Sequence, residues 1–248
     1  MRARVRHVAD GTYLVHGSNT NWVILTEGDA ATLIDTGYPG DRDQLLASLA
    51  EAGTSPEAVA AVLITHAHND HVGSAEFLRT TYGTPVLLHE AEVPHARREF
   101  LHQVSVGQVL RNGWRPGVVP WALHALRSGG TAHVPVTAPE AFTPGAPLDL
   151  PGHPVPVHTP GHTDGHCAFH LPDSGVLISG DALVSGHPTS RLQGPQLLLG
   201  MFHHERARAL ASLDLLGALE ADLLLPGHGP AHRGPVREAA LQAGERAV

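Results

Sequence analysis

Lysine is absent: all sixteen basic residues of this 248-residue chain are arginine. Chemistry through a lysine Schiff base or a lysine general base is thereby excluded. Cys167 is the only cysteine, so no disulfide can form within the chain and nothing marks an oxidising compartment. The thiol reads as a small core residue. No cluster of basic residues interrupts a net charge of -8, which argues against nucleic acid as a partner. Arg2, Arg4 and Arg6 alternate with small or apolar residues, as on an exposed strand face. No run approaches 18 apolar residues and the N-terminus lacks an apolar signal-type segment, so neither a membrane span nor a signal peptide is expected. A cytoplasmic protein acting on a small molecule, with a homodimer left open, is the resulting expectation.

Histidine is what the chain has in excess, at 20 residues. His66, His68, Asp70 and His71 fall within six positions of one another, directly after the apolar run Ala60 to Ile64. Even at this histidine content, chance predicts only about 0.006 occurrences of H-x-H-x-D-H in such a chain. In extended chain, residues i and i+2 share a face, so His66 and His68 can reach one ion. A helix expected from about Val72 to Tyr82 turns Asp70 and His71 away, free to hold a second ion. The spacing suggests two adjacent metals.

The length suits one large core. Short strands are expected over Arg4 to Val8, Thr12 to Val15, Asn21 to Thr26 and Ala31 to Ile34, ending in Asp35-Thr36-Gly37. A helix carrying Leu45, Leu46 and Leu49 follows, with Asp41 and Gln44 in a capping pattern. Residues 90–130 break the rhythm and are expected to form a helical cap that roofs the site with Phe100, Trp114 and Trp121. Later strands are read at Val155 to His158, Ala168 to Leu171, Val176 to Ser179 and Leu223 to Leu225. Leu210, Leu213 and Leu216 are expected on the buried face of a helix. Four places then share one pattern, in which an apolar strand ends at a His or Asp: His66 to His71, His162, Asp181 and His228. Seven nitrogen and carboxylate ligands exceed what one zinc needs and suit two divalent ions.

H-x-H-x-D-H, Thr159-Pro160-Gly161-His162-Thr163-Asp164-Gly165-His166, Ser179-Gly180-Asp181 and Leu225-Pro226-Gly227-His228-Gly229 together resemble the ordered motifs of the metallo-β-lactamase-fold superfamily, over about residues 12–230. The resemblance implies an α+β or α/β fold, a four-layer αββα sandwich of two mixed β-sheets. It also implies that His66, His68 and His162 hold one ion, that Asp70, His71 and His228 hold the other, and that Asp181 bridges them. Zinc is the expected metal, with iron or manganese as alternatives. A water bridging two cations loses its proton near neutral pH, giving a hydroxide that attacks a polarised carbonyl while Asp70 orients it or accepts the proton. The expected function is therefore binuclear hydrolysis of an ester, lactone, thioester or amide.

Within that superfamily the chain is expected to sit in the single-domain glyoxalase II and lactonase-like branch. It stops twenty residues beyond His228, without room for a glutathione-binding helical domain. It also lacks the tyrosine that lactonases carry beyond the second histidine motif. Thr163-Asp164-Gly165 resembles the persulfide dioxygenases, which hold a single iron on two His and one Asp, so a mononuclear iron oxygenase is the alternative. His166 is read as packing behind the ligands. His89 and His158 are read as strand-end residues near the site, and His203 and His204 as loop residues.

Overall fold

A computed structural model describes residues 3–247 and arranges them in four layers, helix, sheet, sheet, helix. Arg2 lies outside the described residues; Arg4 and Arg6 are exposed. The first sheet takes its strands in chain order: β1 (Arg4–Ala9), β2 (Thr12–His16), β3 (Asn21–Glu27), β4 (Ala30–Ile34), β5 (Val59–Leu63), β6 (Val86–His89) and β7 (Glu140–Phe142). It is antiparallel through β4 and parallel from there on. The second sheet comprises β8 (Val155–His158), β9 (Cys167–Leu171), β10 (Val176–Gly180), β11 (Leu223–Pro226) and β12 (His232–Arg233), with β10 and β11 parallel and the other pairs antiparallel.

Alternation along the strands sorts the core into layers, because successive residues face opposite sides. Leu14, Val23, Leu25, Ile34 and Leu63 turn inward to meet Cys167, Phe169, Val176, Ile178 and Leu225 of the second sheet. Their neighbours Val15, Trp22, Ile24, Leu33 and Val62 turn outward, under α1 (Arg42–Glu51) and α3 (Ala75–Tyr82). On the opposite flank Ala168, Leu177 and Leu224 pack beneath α7 (Arg206–Gly217) and α8 (Val236–Ala247). Between β6 and β7 the insert carries α4 (Val93–Ala96), α5 (Val106–Asn112) and α6 (Val118–Arg127). Among the described residues no helix is long and apolar enough to cross a membrane.

Several details depart from the sequence reading. The helix expected from Val72 is two, α2 (Asn69–Val72) and α3, broken at Gly73-Ser74. The amide of Gly73 donates to the Gly37 carbonyl at 2.9 Å and that of Ser74 to Thr36 Oγ1 at 3.1 Å, so the chain is tied to the turn after β4 instead of to itself. Asp41 caps the preceding turn, not α1: its carboxylate accepts from the Tyr38 amide at 3.1 Å and from the Gln44 side chain at 3.0 Å. On α7 the buried face runs through Ala209, Leu213 and Leu216, and Leu210, one position round, is 39% exposed. Strands β7 and β12, of three and two residues, are too short to leave a periodic signal.

Gly73 offers a test of this packing. Its backbone is helical, so helix propensity alone would have Gly73→Ala gain about 1 kcal/mol. A Cβ there would instead enter the backbone of Tyr38 and Pro39. Overpacking against backbone wins, and urea denaturation is expected to show a loss of about 2–3 kcal/mol. A gain would mean that the 37–39 turn yields freely.

Candidate metal centre

The site forms where strands of both sheets end. Beyond β4 stands Asp35, at φ 62; beyond β5 comes the segment from Thr65 to His71; beyond β8, His162; beyond β10, Asp181; beyond β11, His228. The sheets are laced together at this edge. The Asn21 side chain donates to the carbonyls of Pro226 and Gly229, both at 2.8 Å, and the Asn21 amide donates to Gly227 O at 2.8 Å.

All seven expected ligands converge. His66 Nε2, His68 Nδ1 and His162 Nε2 form a triangle with edges of 3.0, 3.0 and 3.2 Å. A tetrahedral zinc with Zn–N of about 2.0–2.1 Å holds its nitrogens about 3.3 Å apart, so these three atoms fit around one ion. Asp70, His71 and His228 make a second group: Asp70 Oδ2 lies 3.8 Å from His71 Nε2 and 3.6 Å from His228 Nε2. Asp181 stands between the groups. Its Oδ2 is 3.4 Å from His162 Nε2 and 3.2 Å from His228 Nε2, and its Oδ1 is 3.6 Å from His71 Nε2. Gly227 permits this closeness, since a Cβ there would collide with Asp181 Oδ1.

Partners on the far side of the rings fix which nitrogen faces inward. Thr65 Oγ1 donates to Asp35 Oδ2 at 2.8 Å, so it accepts from His66 Nδ1 at 3.0 Å, and the lone pair of His66 is left on Nε2. His68 Nε2 donates to the His102 carbonyl, His71 Nδ1 to Asp35 Oδ2 at 2.7 Å, and His228 Nδ1 to the Asn19 carbonyl. His166 is not a ligand: its Nε2 accepts from the Asp181 amide at 3.0 Å while Nδ1 bonds Thr159 Oγ1 at 2.8 Å. It therefore holds the backbone that presents Asp181.

The electrostatics call for a cation. Burial, reinforced by the other imidazoles, lowers His66 well below its ordinary value, and burial lowers His68 to about 4, leaving both neutral. Burial would lower His71 too, but the carboxylates of Asp35, Asp181 and Asp70 outweigh it and raise His71 to about 10. Burial acts to raise Asp181, yet His228 and His71 carry it well below the carboxylate range. His71 Nε2 and Asp181 Oδ1 face each other, buried and without hydrogen-bond partners, at the spacing of two atoms that share an ion. The donor set fits divalent metal in both groups.

Sequence reasoning passed over the braces. Asp35 accepts from the Thr65 amide as well as from Thr65 Oγ1 and His71. Glu92, buried at the start of the insert, accepts from the amides of Ala67 at 2.8 Å and Gly165 at 3.0 Å and from His95 Nδ1 at 3.0 Å, which spans the first two histidine motifs. Arg98 binds Ala67 O at 2.7 Å and Asn69 Oδ1 at 2.6 Å. In the sequence nothing separates Glu92 from its neighbours Glu90 and Glu99; its burial in the structure does. The opening of the insert thus secures the metal loop. A further trio, His102, Asp164 and His204, lies outside the site, and its carboxylate also faces Arg208 at 3.7 Å.

A cleft of about 270 Å³ opens onto five of the seven residues, His68, Asp70, His162, Asp181 and His228, with Tyr38, Trp121, Leu198 and Phe202 in its walls. Of the aromatic residues expected in the roof only Trp121 takes that place; Phe100 stacks on His95, and Trp114 is 77% exposed. His89 and His158 stack on each other at 4.2 Å away from the cleft, and of Leu197, Leu198 and Leu199 only Leu198 reaches it. His187, unremarked in the sequence, lines it.

The sequence model of the metallo-beta-lactamase superfamily matches residues 16–228. A probable metallo-hydrolase of Bacillus subtilis (strain 168), YqgX, is 29% identical over 213 residues, covering 85% of each chain. Metallo-beta-lactamase domain-containing protein 1 of Xenopus laevis is 30% identical over 220 residues, covering 85% of this chain and 71% of that protein. Among solved structures, the metallo-beta-lactamase family protein TTHA1429 of Thermus thermophilus superposes with a TM-score of 0.68 at 27% identity, covering 96% of this chain and 79% of that one. The subclass B3 metallo-beta-lactamase BJP-1 of Bradyrhizobium japonicum, at 18% identity, shares the fold with a TM-score of 0.67 over 98% of this chain and 91% of its own.

The buried imidazoles set the response of the metal-free protein to pH. Burial holds His68 at about 4 and both His166 and His187 at about 3. Unfolded histidine titrates near about 6.5, so the unfolded chain gains protons that the folded chain refuses, and stability falls as pH drops below that value. Each such histidine contributes up to about 1.4 kcal/mol per pH unit. His71 has the opposite sign, its contribution being present below its unfolded value and lost as pH rises through about 10. Urea denaturation of the metal-free protein at descending pH is expected to show this steep loss; a flat profile would contradict the burial of these rings in the neutral form.

Proposed function

The chain belongs to the metallo-beta-lactamase superfamily and is a metal-dependent hydrolase, and from that premise we propose that it works with two divalent ions, zinc foremost, to cleave an ester, lactone, thioester or amide bond of a small molecule. The observation that supports the binuclear reading is the position of Asp181 between two separate groups of inward-facing ligand atoms, its Oδ2 lying 3.4 Å from His162 Nε2 of the first and 3.2 Å from His228 Nε2 of the second. His66, His68 and His162 would hold the first ion, Asp70, His71 and His228 the second, with Asp181 common to both. Bound there, such ions supply Lewis acidity toward the carbonyl and lower the pKa of water toward about 7.

The protein's own groups handle orientation and protons. Asp70 is the most accessible of the site carboxylates, its side chain 18% exposed, and it borders the cleft, where the carboxylate oxygen not engaged by an ion would orient the attacking water or take its proton. Tyr38 faces the same space. Burial, then the carboxylates of Asp70, Asp41 and Asp181, raise its phenol well above the ordinary tyrosine value, so it stays protonated and serves as a hydrogen-bond donor to the departing group. Lactonase-like members carry their tyrosine after the second histidine motif, whereas here the phenol comes from the turn after β4.

Metal content and turnover test the proposal together. Protein purified without added metal or chelator is expected to carry close to two divalent ions per chain. Asp181→Ala is expected to retain fewer and to lose on the order of 100-fold or more in kcat/KM. Full activity in that variant would remove the bridging role. One iron per chain, with oxygen consumed on a persulfide, would move the assignment to the mononuclear dioxygenase.

A further inference from the structure

Resting on the hydrolase reading, we propose that the substrate is a neutral molecule whose acyl portion is an apolar hydrocarbon chain, seated under the insert. Away from the metal-binding floor, the walls of the cleft are Val104, Val109, Trp121, Ala125, Leu198 and Phe202. Four of these six come from the insert, which separates binding from the metal groups below. Among the described residues no arginine lines the cleft, and the chain has no lysine to supply instead. Arg98 of the insert is committed to Ala67 O and Asn69 Oδ1.

A substrate carboxylate or phosphate seated within the cleft, remote from the reacting carbonyl, would therefore have no arginine or lysine counter-charge there and would lose water for nothing in return. The polar groups in the walls away from the metal groups, Tyr38, Asn69, Gln103, Thr131 and His187, include no cationic side chain of arginine or lysine. Asn69 is saturated by Arg98 and by the carbonyls of Gly130 and Ala132. The Thr189 amide donates to His187 Nδ1 at 3.2 Å, which puts the imidazole proton on Nε2, so His187 and Tyr38 are uncharged donors suited to an ester or lactone oxygen. At the rim the apolar surface continues outward, with Val106 75% and Leu126 59% exposed, giving a longer chain a surface to follow out of the cleft.

Two measurements on the metal-loaded protein decide the proposal. Calorimetric binding of linear primary amides from propanamide to octanamide is expected to tighten roughly fourfold per added methylene over the first few carbons. Affinity independent of length would overturn the assignment whatever the catalysis. In turnover, p-nitrophenyl hexanoate is expected to exceed the equally long ester ending in a carboxylate by tenfold or more in kcat/KM, and Leu126→Arg is expected to narrow that gap. Equal or better turnover of the carboxylate ester by the unaltered protein would overturn neutrality while leaving the hydrolase intact. Length-dependent amide binding without hydrolysis of any ester, lactone or thioester by protein carrying two ions would sink the hydrolase and keep the apolar site.

Discussion

The enclosure of five imidazoles and two carboxylates at one edge of the sandwich, their lone pairs turned on one another, is the constraint around which the rest is arranged. Of three ring nitrogens within 3.0–3.2 Å of each other, those of His66 and His68 have their protons committed on the far side and so turn lone pairs on one another. Enclosing such groups costs free energy unless positive charge is supplied. In the metal-free protein a proton on His71 supplies part of it, because three carboxylates surround that ring. The braces follow from the same constraint. Asp35, Thr65, Glu92 and His166 each bond to a ligand or to the backbone that carries one, so the arrangement is held before any ion arrives.

The two sheets contribute differently to that edge. The first delivers the loop from Thr65 to His71 from a strand buried on both faces, and the second delivers His162, Asp181 and His228 from strands packed beneath α7 and α8. Lacing by Asn21 fixes one sheet against the other where the ligands must meet. The insert serves twice: its opening turns secure the metal loop through Glu92 and Arg98, and α5 and α6 wall the cleft. Residues that decide whether metal is held and residues that decide what is bound are thus separated along one segment.

The seven candidate residues were legible in the sequence because each follows an apolar strand and because their ordered motifs resemble a known family; the structure brings their side chains together. The sandwich was legible only through the resemblance of the ordered motifs; unbroken apolar runs such as Val62-Leu63-Ile64 mark a buried strand, and which of those residues faces which layer is seen only in the structure. What could not be read depends on contacts distant in sequence. The break at Gly73 is made by the turn at 37–39, the second role of the Asp35 carboxylate by His71, and the place of Tyr38 in the cleft by the return of the insert over the site. Phe100 and Trp114 had the right chemistry for the roof, but the direction of a side chain in an irregular segment has no period to reveal it.

The central claim is two ions sharing Asp181. Anomalous diffraction at the zinc edge from crystals of the zinc-loaded protein tests it most directly. The expected result is two peaks about 3.5–4 Å apart, one about 2.0–2.1 Å from the nitrogens of His66, His68 and His162, the other at like distance from those of His71 and His228, with an Asp181 oxygen reaching both. A single peak, or a second one remote from Asp70, His71 and His228, would contradict the account.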